Sequence, residues 1–184
     1  MSKKWWILLV VVVVALGYWM MTYNRFIKLD QGIQGQWAQV ETQYQRRFDL
    51  IPNLVNSVKG AMTQEQAVFD AIAEARTQYG GARTLDEKVA ATNQVESSLS
   101  RLLAVIENYP QLKSIDTVQT LMAQLEGTEN RISVERGRFN DAIKSYNTSV
   151  QLFPSSIIAR ISGFSVKAFF ESAPGAEKAP EVQL

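Results

Sequence analysis

The chain reads as an all-α protein: an N-terminal transmembrane helix that continues into a long-helix antiparallel bundle of three long helices plus a short C-terminal helix. Three observations predict this. Trp5 to Tyr23 is an apolar run without a charged residue, including five valines in succession, Val10 to Val14. Between Gln31 and Phe153 only Pro52 and Pro110 interrupt a sequence rich in Gln, Glu, Ala, Arg and Leu. Apolar residues there recur at steps of three and four, the spacing of a helix with one buried face.

The first element is expected to be a membrane anchor. Its 19 residues would span about 28 Å as a helix, close to the roughly 30 Å of bilayer hydrocarbon. Trp5, Trp6, Tyr18, Trp19 and Tyr23 supply the amphipathic rings that favour the headgroup level, and Lys3, Lys4, Arg25 and Lys28 lie just outside. A secretory apolar region is shorter, about 7 to 15 residues, and ends at a small-residue cleavage site. Here Ala15-Leu16-Gly17 runs into Tyr18, Trp19, Met20 and Met21, so the anchor is expected to be retained. Basic residues flank both ends, and long domains translocate largely regardless of charge. The expected location is the bacterial inner membrane, crossed once, with a lean toward an extracytoplasmic domain.

The domains are expected as a short basic N-terminus (1–4), the transmembrane helix (5–23), a membrane-proximal amphipathic stalk helix (24–52), a helical bundle (53–171) and a disordered tail (172–184). Removing the anchor leaves about 160 residues, enough for one core. Setting Lys3 and Lys4 aside leaves 17 of the 19 basic side chains against 18 acidic ones, a net charge of −1. That balance gives no nucleic-acid-binding face, which needs a basic stripe.

The first long helix carries the stripe Ile33, Trp37, Val40, Tyr44, Phe48, Ile51, Val55, Val58, Met62, Phe69 and Ile72, and is expected to reach Gln78. Two consecutive steps of four, Val40–Tyr44–Phe48, form a stutter that unwinds a left-handed coiled coil locally. Pro52 removes one ladder hydrogen bond, which predicts a kink. Gly80-Gly81 offers positive φ for a reversal. Thr84-Leu85-Asp86-Glu87 matches a capping box opening a second helix that ends near Asn108. A third helix opens at Ser114 to Thr117, with the stripe Val118, Met122, Leu125, Ile132, Phe139, Ile143, Tyr146 and Val150. After Phe153-Pro154, Ser155 and Ser156 are positioned to cap a short helix, Ile157 to Phe170, that reads as a lid on the bundle because Arg160 and Lys167 are its only basic residues.

Gln43 through Asn53, reading Gln-Tyr-Gln-Arg-Arg-Phe-Asp-Leu-Ile-Pro-Asn, together with Leu54 and Val55, resembles the signature of the bacterial LemA family. Glu126 to Ile132, Arg138-Phe139-Asn140, Tyr146-Asn147, Phe153-Pro154 and Tyr23-Asn24 resemble further segments of that family, over Tyr23 to Phe170. Phe48 and Phe139 stand where the pattern has tyrosines, which puts two phenolic hydroxyls in doubt. The resemblance implies a single-pass membrane protein with a long-helix bundle and no assigned enzymatic activity, its members often encoded near membrane proteases or phosphatase-like domains.

The chain contains no histidine and no cysteine, so imidazole acid–base chemistry, thiol nucleophiles and thiolate metal sites are excluded. No Walker or dinucleotide loop is present, and no cofactor or metal is expected. The carboxylate pairs Asp86-Glu87 and Glu126 with Glu129 read as caps and solvated faces. Arg46, Arg47 and Asp49 offer bidentate geometry for an anion or, as a structural alternative, satisfy backbone groups around Pro52. Charged residues in stripe register, Glu65, Arg76, Glu129 and Arg136, must pair if buried or snorkel if not. The expected polar lock therefore comprises Arg46, Arg47, Asp49, Arg76, Glu129 and Arg136.

Length arithmetic leaves the stripe on 33–51 without an intrachain partner. Ile33, Trp37, Val40, Tyr44 and Phe48 are accordingly expected to form a homo-oligomer interface. The expected function is a non-catalytic, membrane-anchored scaffold that self-assembles and binds envelope partners, with the lipid bilayer and itself as partners and no nucleic acid. The alternative is a regulatory adaptor of a membrane protease, and a third class, an enzyme using carboxylates alone, stands behind both.

Overall fold

The computed structural model describes residues 3–62 and 64–170, so the expected tail at 172–184 lies outside the described residues. Among the described residues there is no strand, and six helices follow in order: α1 Lys3–Val58, α2 Gln66–Gly81, α3 Leu85–Glu107, α4 Pro110–Lys113, α5 Asp116–Gln151 and α6 Ser155–Ile161. The all-α class therefore stands. The chain divides into two compact units. Among the described residues, one takes 3–40 together with Glu135–Phe169; the other takes Glu41–Val134 and Phe170. α1 and α5 each contribute a segment to both.

Two element boundaries differ from expectation. α1 stops at Val58 instead of continuing to Gln78, because a turn around Gly60 intervenes before α2. Gly is about 1 kcal/mol worse than Ala inside a helix, and the turn folds Met62 fully into the core, with Met62 N–H donating to Val58 O at 3.1 Å. Most of the stripe is buried, with Leu54 taking the core place expected of the half-buried Val55, while the helix carrying it is not continuous. α1 passes through Pro52 and runs on to Val58. The reversal after α2 falls at Gly80-Gly81 as expected, yet it is made by Ala82 in an extended conformation (φ −66°, ψ 128°), and neither glycine takes a positive φ.

α3 begins as the sequence predicts. Thr84 Oγ1 accepts from Glu87 N–H at 3.2 Å, and Glu87 Oε2 accepts from the N–H groups of Thr84 (3.0 Å) and Arg83 (2.8 Å). Those backbone bonds hold the Glu87 carboxyl below its usual range. Asn108 caps the C-terminus, as expected, and Pro110 then sits at the start of the additional one-turn helix α4, where its missing N–H has no partner to lose.

In the second unit the core is formed by Tyr44, Phe48, Ile51, Leu54 and Val58 of α1, Phe69 and Ile72 of α2, Val95, Leu99, Leu102 and Ile106 of α3, and Val118, Leu125 and Ile132 of α5. Phe48 meets Tyr79 edge-on with ring centroids 4.6 Å apart. In the first unit Trp37 packs edge-on against Phe139 at 5.6 Å, and Tyr23 and Phe26 pack on Phe164 at 5.6 and 5.0 Å.

The last helix is shorter than expected, ending at Ile161 rather than Phe170. Ser155 does not cap it; its hydroxyl donates instead to the carbonyls of Ser149 (2.7 Å) and Leu152 (2.8 Å) at the end of α5. Gly163 (φ +79°) ends the helix in a left-handed reversal, and Phe164 N–H returns to Ala159 O at 2.9 Å. Residues 164–169 continue without helix as a strap. Asn147 of α5 fastens it, donating to Lys167 O and accepting from Lys167 N–H, both at 2.8 Å. Lys167 also pairs with Asp30 of α1 at 2.8 Å and lies over the Tyr146 ring, 5.4 Å from its centroid. Burial raises the Tyr146 phenol, with Lys167 opposing the shift.

A Cβ at position 163 meets no neighbour, so Gly163→Ala isolates the left-handed backbone cost of about 1–2 kcal/mol. Thermal unfolding of the detergent-solubilised variant should show a corresponding fall in Tm.

Candidate functional site

The buried polar centre of the second unit is built where polar residues interrupt three apolar stripes. Arg47 falls between Tyr44 and Ile51 on α1, Glu96 between Thr92 and Leu99 on α3, and Thr128 between Leu125 and Ile132 on α5. Each sits three or four residues from core neighbours, which turns it inward. The Arg47 side chain is buried, and its donors are divided between α3 and α5. Nε donates to Thr128 Oγ1 at 3.2 Å, Nη1 to Glu96 Oε1 at 3.4 Å, and Nη2 to Leu125 O at 3.4 Å and to the Glu129 carboxylate. Tyr44 donates its hydroxyl to the same Glu96 oxygen at 2.8 Å. A guanidinium removed from water is costly unless its protons are met, and here the planar fork is met from two further helices.

This arrangement decides the expected polar lock. Arg47 and Glu129 are brought together, but four of the named residues take no part in the centre. Arg46 and Asp49 are exposed on α1 and line a groove with Arg131, Arg76 is exposed on α2, and Arg136 is half-buried in the other unit. Arg46 and Asp49 follow from helical geometry, since residues adjacent to Arg47 face away from it. Glu96, Thr128 and the Leu125 carbonyl were missed. The signal for Glu96 was present, a charge in the register of the α3 stripe, the criterion that singled out Glu129.

A second polar cluster in this unit joins Glu41 of α1 to Lys88 of α3, with Tyr79 of α2 donating to the same Glu41 oxygen at 3.4 Å. Burial, reinforced by the Glu41 carboxylate, raises the Tyr79 phenol well above the usual tyrosine range. Beside Arg47 a groove of about 690 Å³ opens between α3 and α5, floored by Leu99, Leu103, Met122 and Leu125, with Glu107, Lys113 and Glu126 among its lining.

The residues expected at a homo-oligomer interface require a correction. Ile33, Trp37, Val40, Tyr44 and Phe48 are all buried within the single chain, Val40 and Tyr44 completely. The stripe has intrachain partners after all. α5 is long enough that its residues from Glu135 onward, with α6 and the strap, pack in one unit with Ile33, Trp37 and Val40, while Tyr44 and Phe48 enter the core of the other. The length argument failed because it assigned none of the third helix, whose stripe already ran to Val150, to that level.

The membrane-anchor residues stand differently. Trp5, Trp6, Tyr18, Trp19 and Tyr23 all lie on α1 and are exposed, as are the intervening Ile7 to Val14 and Leu16. α1 is the one described helix long and apolar enough to cross a membrane. A helix with apolar side chains exposed on every side has no stable place in water; the chain is membrane-associated.

Residues 36–184 match the LemA family model. The chain belongs to the LemA family. Among curated relatives, this LemA chain is similar to the magnetosome proteins MamQ 1 and MamQ 2 of Paramagnetospirillum magneticum. Each is 26% identical over 187 residues, covering 86% of this chain and 68% of the relative. The magnetosome protein MamQ of Magnetospirillum gryphiswaldense is 27% identical over 184 residues with the same coverage. The matched region starts beyond Tyr23-Asn24, so those two residues of the resemblance fall outside it. Within it the LemA-like segments have physical roles: Arg47 and Glu129 form the buried centre, Phe139 supports Trp37, and Asn147 fastens the strap.

Two measurements follow for this LemA domain. Arg47→Met leaves Glu96 and Glu129 without their cation, which should cost about 3 kcal/mol in chemical denaturation, and adding Glu96→Gln should recover part of it. The raised Tyr79 phenol favours the protonated folded state. Its stabilisation is fully present below the unfolded tyrosine value of about 10 and is lost as pH rises through the folded value. Stability should therefore fall above about pH 10, and Tyr79→Phe should make the fall shallower.

Proposed function

We propose that this chain is a single-pass, membrane-anchored helical module that works by binding other envelope proteins rather than by catalysis. The observation that carries the reading is the continuity of α1. One helix, Lys3–Val58, begins as an apolar span exposed on all sides and ends as a wall of a buried core. A domain fixed in this way is held at the bilayer surface with no loop at the point of exit. The titratable groups inside the second unit support binding over chemistry, because they are committed to one another: Glu96 and Glu129 to Arg47, and Glu41 to Lys88.

The surface offered to partners is helical and includes the groove between α3 and α5, apolar in its floor and charged at Lys113, Glu107 and Glu126. The relatives are named as magnetosome proteins, which fits a membrane-associated role for this chain. Self-assembly, if this scaffold uses it, runs through surface other than Ile33 to Phe48, which the core already occupies.

Membrane fractionation tests the anchor. The full chain should stay with membranes through alkaline carbonate and leave them only in detergent. Val12→Arg with Val13→Arg, each costing roughly 2.5–3.5 kcal/mol at the centre of a span, should shift it to the soluble fraction. Wild-type release by carbonate alone would contradict the reading.

A further inference from the structure

We propose that the corner between α5 and α6, with the outer face of α6, is a second membrane contact, in which Phe153, Ile157 and Ile161 insert into the headgroup–acyl boundary of the bilayer that α1 crosses. The inference rests on the membrane-anchor reading of α1 and extends it. These three side chains are 81%, 52% and 64% exposed, and Leu152 beside them is 57% exposed. They follow one another at steps of four, so Ile157 and Ile161 stand on one face of α6, while Ile158 and Ala159 bury the opposite face inside the same unit. Single exposed apolar residues are ordinary, but a row of them on a short segment marks a surface with an occupant.

The location of the row identifies that occupant. Phe153, Pro154 and Ser155 share a cleft of about 490 Å³ with Tyr18, Met21 and Arg25 of α1. Tyr18 precedes the last residue of the apolar span, Tyr23, by five residues, or about 7.5 Å of helix. An interfacial helix buries its apolar face about 5–10 Å into the same boundary. The corner therefore lies at the depth of the span's outer end, continuous with a surface already committed to lipid.

Charge points the same way. No acidic residue occurs before Asp30 or between Asp141 and Glu171, whereas Arg25, Lys28 and Arg160 are exposed. Counting only Arg160 and Lys167 as basic residues of the last helix had favoured a lid on the bundle. The fold corrects that count by placing Arg25 of α1 in the cleft beside Phe153. An apolar row with cations around it and no carboxylate fits a bilayer containing anionic lipid.

The chain has no cysteine, so single cysteines report without background. Phe153→Cys, Val12→Cys and Gly137→Cys would each be labelled with a polarity-sensitive fluorophore in the full chain, reconstituted in phosphatidylcholine–phosphatidylglycerol vesicles carrying quenchers either near the headgroup or at the acyl-chain end. Gly137 has open space at its Cβ and lies 14 residues, about 21 Å, back along α5 from its end at Gln151. The probe at 153 should be blue-shifted and lose most of its emission to the shallow quencher, the probe at 12 to the deep quencher, and the probe at 137 to neither. A probe at 153 emitting as in water, with that at 12 quenched, overturns this inference and leaves the anchor standing. A blue-shifted but unquenched probe at 153 assigns the face to a protein or a second copy and also overturns it. An unquenched probe at 12 overturns the anchor reading and the inference with it.

Discussion

The structure depends on one constraint, that the first five turns of α1 present apolar side chains on every side and have no protein surface to cover them. Water cannot host such a helix, and lipid can, provided that every backbone group in it is bonded within the segment. A continuous α-helix meets that condition, and α1 continues without interruption well past the end of its apolar run. The apolar segment and the start of the folded region are thus one element. This is why the residues that begin the folded part, Tyr23, Phe26 and Asp30, are also the ones that receive the strap at Phe164 and Lys167.

Beyond the span, each unit solves the problem of polar groups on buried helix faces in its own way. The second unit uses one guanidinium. Arg47 projects from α1 into a gap bounded by Glu96, Thr128, Glu129 and the Leu125 carbonyl, and arginine suits the place because its fork offers donors in several directions at once. The first unit uses an amide. Asn147 supplies both a donor and an acceptor to the backbone of Lys167, which has no helical partner there. Both devices consume their polar groups in holding helices together, and both leave the outer surfaces of the helices as the part of the molecule available for binding.

Much of this was legible in the sequence, and the failures share a cause. The apolar first segment, the capping box at Thr84, the end of α3 at Asn108 and most of the two core stripes were set by local rules of spacing and capping that hold wherever the chain goes. Glu129 was also found by register, and Arg47 by its place in the charged cluster ahead of Pro52. What was missed depended on where helices end and what returns to cover them. Gly60 ends α1 early, Gly163 ends α6 early, and Trp37 lies against Phe139 of α5 rather than against another molecule. The supposed oligomer interface rested on counting residues between reversals, and such counts accumulate error at every boundary. The partner of Arg47 on α3 was visible as a charge in register but carried no sign of which helix it faced.

Hydrogen exchange of the full chain in lipid nanodiscs tests the central claim most directly. A span held in hydrocarbon meets no water at its amides, so Leu8 to Leu16 should remain unexchanged for as long as the deepest core amides of α3 and α5. Exchange of those residues at the rate of a solvent-exposed helix, while α3 and α5 stay protected, would contradict the account.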